Sequence, residues 1–405
     1  MNILWLGSYA SDEMLAKMPI RSIGQASGIT SQKSIIYGID QCSQDIRMCT
    51  ISAQGFPTYP TYPQKRIERI KWSRNGKDED ISIAFSNRKA TRLLSQWKHY
   101  KKEAIAWLKR IPDGDDIHII VYEPVIERLL AARRLKKLCK RAKVHLVVPD
   151  IPEFVGNPRS VIKKLLKQIR KRILRRLMHC VDKYIFYAQP MAEYYGIDAK
   201  NYMIMEGSFD PREASYFKTR EQPPDDGGIT LLYSGAVSRG RAVDKFVEAF
   251  HAIDDPSLKL WVTGAGDYDG RLKELEAQDE RIHHYGYLNT REEVLALQSK
   301  ADVLLHVRDK DALSSQYCFP SKLFEYMASG SLILTVKIPG IPEEYYRYML
   351  TMEEITEESV RTAIENIKHM PLEERRALGE IAREHVLTHK SSKAQAERIL
   401  KFIQD

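Results

Sequence analysis

The residues best suited to chemistry stand in one run, Phe319-Pro320-Ser321-Lys322-Leu323-Phe324-Glu325-Tyr326-Met327-Ala328-Ser329-Gly330, followed by the apolar Ser331-Leu332-Ile333-Leu334-Thr335-Val336. Pro320 suits the first turn of a helix, where its missing N–H has no partner to lose, and Gly330 suits a left-handed stop. The spacing predicts a short helix leading into a buried strand. Its start offers the backbone N–H groups of Ser321, Lys322 and Leu323, the positive end of the helix dipole, an ammonium and a hydroxyl. Together these bind anions, most economically a diphosphate. Glu325 lies one turn beyond Lys322, where its acceptor-only carboxylate can take two hydrogen bonds from a ribose diol. Pro and Gly also punctuate helices that bind nothing, so these residue types alone leave both readings open.

A second group precedes it. Ile229-Thr230-Leu231-Leu232-Tyr233-Ser234-Gly235 reads as a strand ending at glycine, followed by the loop Ala236-Val237-Ser238-Arg239-Gly240-Arg241 and a helix from Val243 to Ile253. Two arginines at a strand's carboxyl end suit phosphate, because guanidinium forks match its oxygens. The adjacent His283 and His284 do not make a metal site: neighbours on a strand point to opposite faces.

These groups need a scaffold, and the chain supplies one by alternation. In the first half, apolar runs at Asn2–Gly7, Arg47–Ile51, His118–Tyr122, Val144–Val148, Lys183–Tyr187 and Tyr202–Met205 alternate with helical patterns. The helices are expected near Thr30–Gly38, Ala90–Arg110 and Pro124–Ala142. Such alternation predicts open, mostly parallel sheets covered by helices on both faces. The breaker-rich stretch 208–228 separates this half from the second, where the pattern restarts. With 405 residues the chain exceeds one ordinary core. The expected division is 1–207, a linker at 208–228, a nucleotide-binding domain at 229–385, and a C-terminal helical segment at 386–405.

The P-S-K-L-F-E-Y-M-A-S-G block resembles the donor signature of family-four retaining glycosyltransferases, in particular their bacterial surface-polysaccharide branch. The resemblance implies the GT-B arrangement, two doubly wound α/β domains facing across a cleft, with the last helix crossing back to the first domain. It implies that Glu325 binds the ribose of a sugar nucleotide, and that Tyr287 lies by the base. Gly235 matches the glycine and Arg241 the lysine of the family's G-x-x-x-x-x-K-G element. Two positions depart from the pattern. Ala236 replaces an arginine that often follows the glycine, so either Arg239 or Arg241 carries more of the phosphate charge or the donor is held more weakly. Tyr317 replaces the first glutamate of the E-x(7)-E pair, so a hydroxyl stands where the family recognises the donor sugar with a carboxylate.

The acceptor side is expected in the first half. Gly24, Gln25 and Ser27 sit in a glycine loop after the first strand, which faces the cleft in the resembling enzymes. Asp150 and Glu153 resemble a D-x-P-E turn at a strand's carboxyl end, where such sheets bind ligands, though helix caps would look the same.

Charge is unevenly placed. Arg128 to Met178 carries seventeen Lys and Arg against two acids, a surplus of 15 that leaves −6 for the rest of a chain whose total is +9. From Pro158 to Met178 there is no acid; Ile162, Leu165, Leu166, Ile169, Ile173 and Leu177 recur at helical spacing among Lys163, Lys164, Lys167, Arg170, Lys171, Arg175 and Arg176. A basic amphipathic helix gains about 1 kcal/mol per Lys or Arg at an anionic bilayer. A solvated helix would show the same stripe. Nucleic acid is not expected, since the segment has no aromatic residue for base stacking. No apolar run is long enough to span a bilayer, and no charged and apolar leader opens the sequence. The expected location is cytoplasmic, peripheral to the inner face of the membrane. The five scattered cysteines are expected to stay reduced.

The activity expected from the resemblance is transfer of a sugar from a nucleotide-sugar, a UDP-sugar, to a lipid-linked or oligosaccharide acceptor, with retention of configuration. Lys322, Arg239 and Arg241 are the candidate catalytic groups acting on the departing diphosphate. Gly235, Tyr287, Tyr317, Pro320, Ser321, Leu323 and Glu325 are the candidate donor contacts. No cofactor or metal is expected. A nucleotide-sugar epimerase on the same fold and a non-catalytic polyanion-binding protein stand as alternatives, separable by whether an acceptor is needed and whether donor is consumed.

Overall fold

The structure, a computed structural model, describes residues 1–11, 13–14, 23–43, 45–154, 160–217 and 228–405. It divides into two compact units. One comprises Met1–Tyr187, Met191–Glu206 and Ser392–Asp405, the other Ala188–Pro190 and Gly207–Ser391.

The first half runs β1 (Asn2–Gly7), α1 (Ile23–Cys42), β2 (Arg47–Ser52), β3 (Arg66–Ile67), β4 (Ile70–Trp72), β5 (Asp80–Ser82), β6 (Phe85–Ser86), α2 (Arg92–Leu108), β7 (Ile117–Tyr122), α3 (Ile126–Leu138), β8 (Lys143–Val148), α4 (Val161–Met178), β9 (Lys183–Phe186), α5 (Gln189–Tyr195) and β10 (Tyr202–Ile204). Its sheet has the order β10-β9-β8-β7-β1-β2-β5-β4. All pairings are parallel except β4 with β5; β3 and β6 form a separate antiparallel pair. Strands β1 and β7 are buried along their whole length, as strands covered on both faces must be.

The second half runs β11 (Ile229–Ser234), α6 (Val243–His251), β12 (Leu258–Thr263), α7 (Asp269–Gln278), β13 (Ile282–Gly286), α8 (Arg291–Gln298), β14 (Val303–His306), α9 (Leu313–Tyr317), α10 (Lys322–Ser329), β15 (Leu332–Val336), β16 (Leu350–Met352), α11 (Glu357–His369) and α12 (Leu372–His389). The sheet order is β13-β12-β11-β14-β15-β16, parallel throughout. Leu231, Leu260, Leu305 and Leu334 from four of its strands pack with Phe246, Phe250 and Ile364 in one core. The strand order reverses between β11 and β14. In sheets of this kind the loops at the carboxyl ends diverge there and leave room for a ligand.

The last helix, α13 (Ser392–Gln404), counts with the first unit, where it packs along α1 with Ser34 Oγ 2.7 Å from Ser392 Oγ. This contact explains a difference from expectation. Helix α1 does not end at Gly38: a Cβ there would lie 2.0 Å from the Ser392 carbonyl oxygen, so the glycine permits close helix approach instead of a stop. The helix also begins earlier than Thr30, at Ile23, so Gly24, Gln25 and Ser27 lie within it and not in a glycine loop. The short strands β3 to β6 carry too few residues for a periodic signal, and their pairing was not anticipated. Residues 155–159 before the basic helix and 218–227 of the expected linker lie outside the described residues.

Candidate active site

Strand β11 delivers Ser234 to the switch point, and α10 is built against it. Tyr326 is fully buried, and its hydroxyl accepts the Ser234 N–H at 3.2 Å and donates to the Ser234 carbonyl at 3.1 Å. Gly330 ends α10 with φ 75°, the left-handed conformation expected of it. Phe319, Phe324 and Tyr345 pack ring against ring beneath the helix, with centroids 5.0–6.0 Å apart.

The helix start is tighter than the sequence predicts. Pro320 precedes the helix, and its carbonyl accepts the Leu323 N–H at 2.8 Å; Ser321 accepts the Phe324 N–H at 3.2 Å. The amide of Leu323 is therefore occupied within the turn, and its side chain is core. That leaves the amides of Ser321 and Lys322 as the helix-start donors, with Ser321 exposed. The correction follows from the first turn closing with i to i+3 bonds, common at helix ends.

Lys322 and Glu325 lie together as their spacing requires. Lys322 Nζ donates to Ser234 Oγ at 3.1 Å and lies 3.7 Å from Glu325 Oε2. Burial pushes the lysine below its ordinary pKa, while Glu325 opposes and Arg291 adds to that effect. Burial alone would raise the Glu325 carboxyl, but Arg291 and Lys322 together hold it below the usual carboxylate range. Its side chain is 15% exposed. The partners that matter most were missed in the sequence: Arg291 of α8 pairs with Glu325 Oε1 at 2.7 Å, and also with Glu213. One oxygen of Glu325 is thus engaged by Arg291. Gln298 joins the cluster by donating to Ser234 Oγ at 3.4 Å.

The neighbouring loop forms the second group. Gly235 donates to the Thr263 carbonyl, and Gly264, with φ 137°, comes so close that a Cβ would sit 1.7 Å from the Gly235 carbonyl oxygen. Arg239 and Arg241 end up in different surroundings. Arg239 is exposed, its N–H donates to Asp267, and its guanidinium lies 5.8 Å from the Tyr268 ring centre. Arg241 is half-buried and acts with Arg308 on Tyr233 and His306. His306, at the end of β14, is buried and bonds Thr335 Oγ1 at 2.9 Å. Burial, then Arg308 and Arg241, depress its pKa to about 3, so its ring is neutral. Arg308 was also missed; one arginine three residues after a short apolar run carries no spacing signal.

Tyr287, just beyond β13, is exposed, and Tyr317, the last residue of α9, is half-buried. His284 approaches the Gly264 carbonyl at 3.4 Å while His283 faces Glu276 at 3.2 Å.

In the first unit, Asp150 is exposed beyond the end of β8 and Glu153 lies in the turn Pro152–Phe154, where Tyr195 donates to it at 3.4 Å. Glu123, at the end of β7, was not anticipated: it takes a left-handed φ of 66°, with Arg128 3.4 Å from its carboxylate. On α4, Val161, Ile162, Leu165 and Leu166 are 81, 70, 61 and 58% exposed, and only Leu174, Leu177 and Met178 are buried. No helix among the described residues is long and apolar enough to cross a membrane.

A search of curated protein sequences finds no match. Solved structures similar over the whole chain include Anabaena HepE in complex with UDP (12% identity, TM-score 0.64, 100% of each chain). They include sucrose-phosphate synthase from Thermosynechococcus elongatus (14%, 0.63, 100% of this chain and 98% of that one). They also include the lipopolysaccharide outer core galactosyltransferase WaaB (14%, 0.61, 100% and 99%). At these identities the likeness shows the fold, an α/β GT-B architecture with parallel sheets. Residues 216–385, which hold Glu325, Lys322, Arg241 and Arg291, thus match the family described as glycosyl transferases group 1, and the chain as a whole has the GT-B fold.

Proposed function

We propose that this enzyme transfers a sugar, with retention of configuration, from a UDP-sugar to a lipid-linked or oligosaccharide acceptor in surface-polysaccharide assembly. The observation that carries the donor half is the convergence of Lys322, Glu325 and Arg241 on the carboxyl ends of β11 and β14, where the strand order reverses. In this reading the diphosphate meets the Ser321 and Lys322 amides, the Lys322 ammonium and the Arg241 guanidinium. Charge growing on the departing diphosphate is then met by donors already in place. Glu325 takes the ribose and Tyr287 stands by the base. The HepE complex with UDP, on the same fold, supports uracil as the base. No metal is required for this route, and the donor is a substrate, not a cofactor.

The acceptor half rests on α4. Its apolar residues face outward among Lys163, Lys164, Lys167, Arg170 and Lys171, which suits an anionic bilayer that carries a lipid-linked acceptor. Asp150 and Glu153 are the candidate acceptor contacts of the same unit.

The test is a panel of nucleotide-sugars screened by thermal shift, then product analysis with the donor that binds. A ligand at about 100 times its dissociation constant adds about 2.7 kcal/mol of stability. The expected result is stabilisation by a UDP-sugar and sugar transfer that requires an added acceptor. Conversion of the donor to an isomer without acceptor would point to epimerase chemistry, and stabilisation by no nucleotide-sugar would refute the assignment.

A further inference from the structure

Arg291 opens α8, and a capping box fixes where it starts. Thr290 Oγ1 accepts the Glu293 N–H at 3.1 Å, and the Glu293 carboxylate accepts the Thr290 N–H at 2.9 Å. From that position one guanidinium serves two carboxylates. Its Nε and Nη2 donate to Glu213 at 3.0 and 2.6 Å, a fork on a carboxylate, and its Nη1 reaches Glu325 Oε1 at 2.7 Å. Glu213 is itself held in the turn Pro211–Tyr216, which Asp210 caps by accepting the Arg212 N–H.

The group is charge-balanced, two acids against Arg291 and Lys322. The side chains of Glu213, Glu325 and Arg291 are 18, 15 and 31% exposed, so solvent screens them little. The fork on Glu213 fixes the plane of the guanidinium, and with it the direction of the third N–H toward Glu325. That contact takes one oxygen of Glu325. The other, Oε2, is a buried acceptor that no hydrogen bond satisfies among the described residues; it lies 3.7 Å from Lys322 Nζ, too far for one, and Gln298 and Lys322 only help to hold the carboxyl ionised.

We infer that Arg291, anchored by Glu213, is a positioning residue that holds Oε1 of Glu325 so that Oε2 is turned to accept a hydroxyl of the donor's ribose. The inference rests on the assignment of Glu325 to the ribose made above. An arginine that only stabilised the unit would leave recognition of ribose hydroxyls untouched, which separates the two roles.

The experiment measures affinity by calorimetry for UDP and for 2′,3′-dideoxyuridine diphosphate, using the full chain and the variants Arg291→Gln, Arg291→Lys, Glu325→Ala and Glu325→Ala with Arg291→Gln. The parent is expected to bind UDP at least tenfold more tightly than the dideoxy nucleotide. Arg291→Gln is expected to bring that ratio toward one with little change for the dideoxy nucleotide. Arg291→Lys should recover part of the ratio, and the double variant should be no worse than Glu325→Ala alone. An Arg291→Gln or Arg291→Lys protein that keeps the parental ratio, or that loses both nucleotides equally, overturns the inference. If Arg291→Gln does not fold, Arg291→Lys alone decides. A parent that does not distinguish the two nucleotides overturns the ribose assignment instead.

Discussion

Lys322 Nζ lies 3.1 Å from Ser234 Oγ, so one ammonium ties the first turn of α10 to the end of β11. The side chain keeps 34% of its surface, enough to meet a ligand, while the serine and Glu325 fix where its charge stands. A charge fixed in place acts most on a group whose own charge grows during reaction.

Lys322→Ala should accordingly lower kcat by about 100-fold or more while changing donor affinity much less. Steady-state kinetics with a direct binding measurement checks this. Loss of donor affinity with unchanged turnover would count against a role in the transition state.

Glu325→Ala should weaken donor binding by about 1.5–3 kcal/mol, the range for hydrogen bonds to a charged group. The fold should persist, because Arg291 retains its fork on Glu213. Calorimetry with the donor nucleotide, beside a melting curve, separates the binding effect from unfolding.

Gly264→Ala should destabilise the second unit by about 3 kcal/mol or more. Its φ of 137° strains any other residue, and the new Cβ would fall on the Gly235 carbonyl oxygen. Gly240→Ala, where a Cβ meets nothing within 4 Å, should leave the melting temperature nearly unchanged. Similar losses in both variants would show that the Gly235 loop is not held by this contact.

Acid should weaken the first unit through a buried pair. The rings of His118 and His145 stack with centroids 5.2 Å apart, and Nδ1 of one lies 3.0 Å from Nε2 of the other. Burial, then Lys143, lowers His118 to about 4; burial, then the other histidine, lowers His145 to about 2. Only the unfolded chain takes up their protons near pH 6.5, so their contribution is complete above that pH and is lost as pH falls toward 4. The loss by pH 4 should be on the order of 3 kcal/mol for each histidine, roughly 6 kcal/mol for the pair. Urea midpoints at pH 7, 5.5 and 4.5 should fall more steeply for the parent than for His118→Phe with His145→Phe; equal slopes would sink the idea.

The basic helix should bind anionic vesicles and not neutral ones, and salt should release it, since the Debye length is about 8 Å at physiological strength. Changing Lys163, Lys164, Lys167, Arg170 and Lys171 to Gln should abolish co-sedimentation. A variant that sediments as well as the parent, or a parent indifferent to anionic lipid, would make α4 a solvated face.

Much of this molecule is written locally. The buried runs that became β1, β7, β11 and β14, and the Pro320-to-Gly330 block that became α10, are legible because strand and helix periods are properties of neighbouring residues. Helical spacing alone places Lys322 one turn from Glu325, and composition alone marks the acid-free stretch of α4.

What the chain order cannot express is which strands lie side by side. Reversal of strand order at β11 and β14 brings Ser234, His306, Arg241 and Arg308 to one end of the sheet. It is packing across the second unit that sets Arg291 between Glu325 and a Glu213 that is 78 residues away. Contacts at that separation leave no periodic trace, because they depend on closure of long loops and not on local spacing. For the same reason Gly38 reads as a stop until α13 is seen against it, and the Leu323 amide reads as open until the first turn closes on Pro320. The sequence by itself determined the two-sheet architecture and the lysine and glutamate at the helix start; tertiary packing alone decided which of their atoms are engaged.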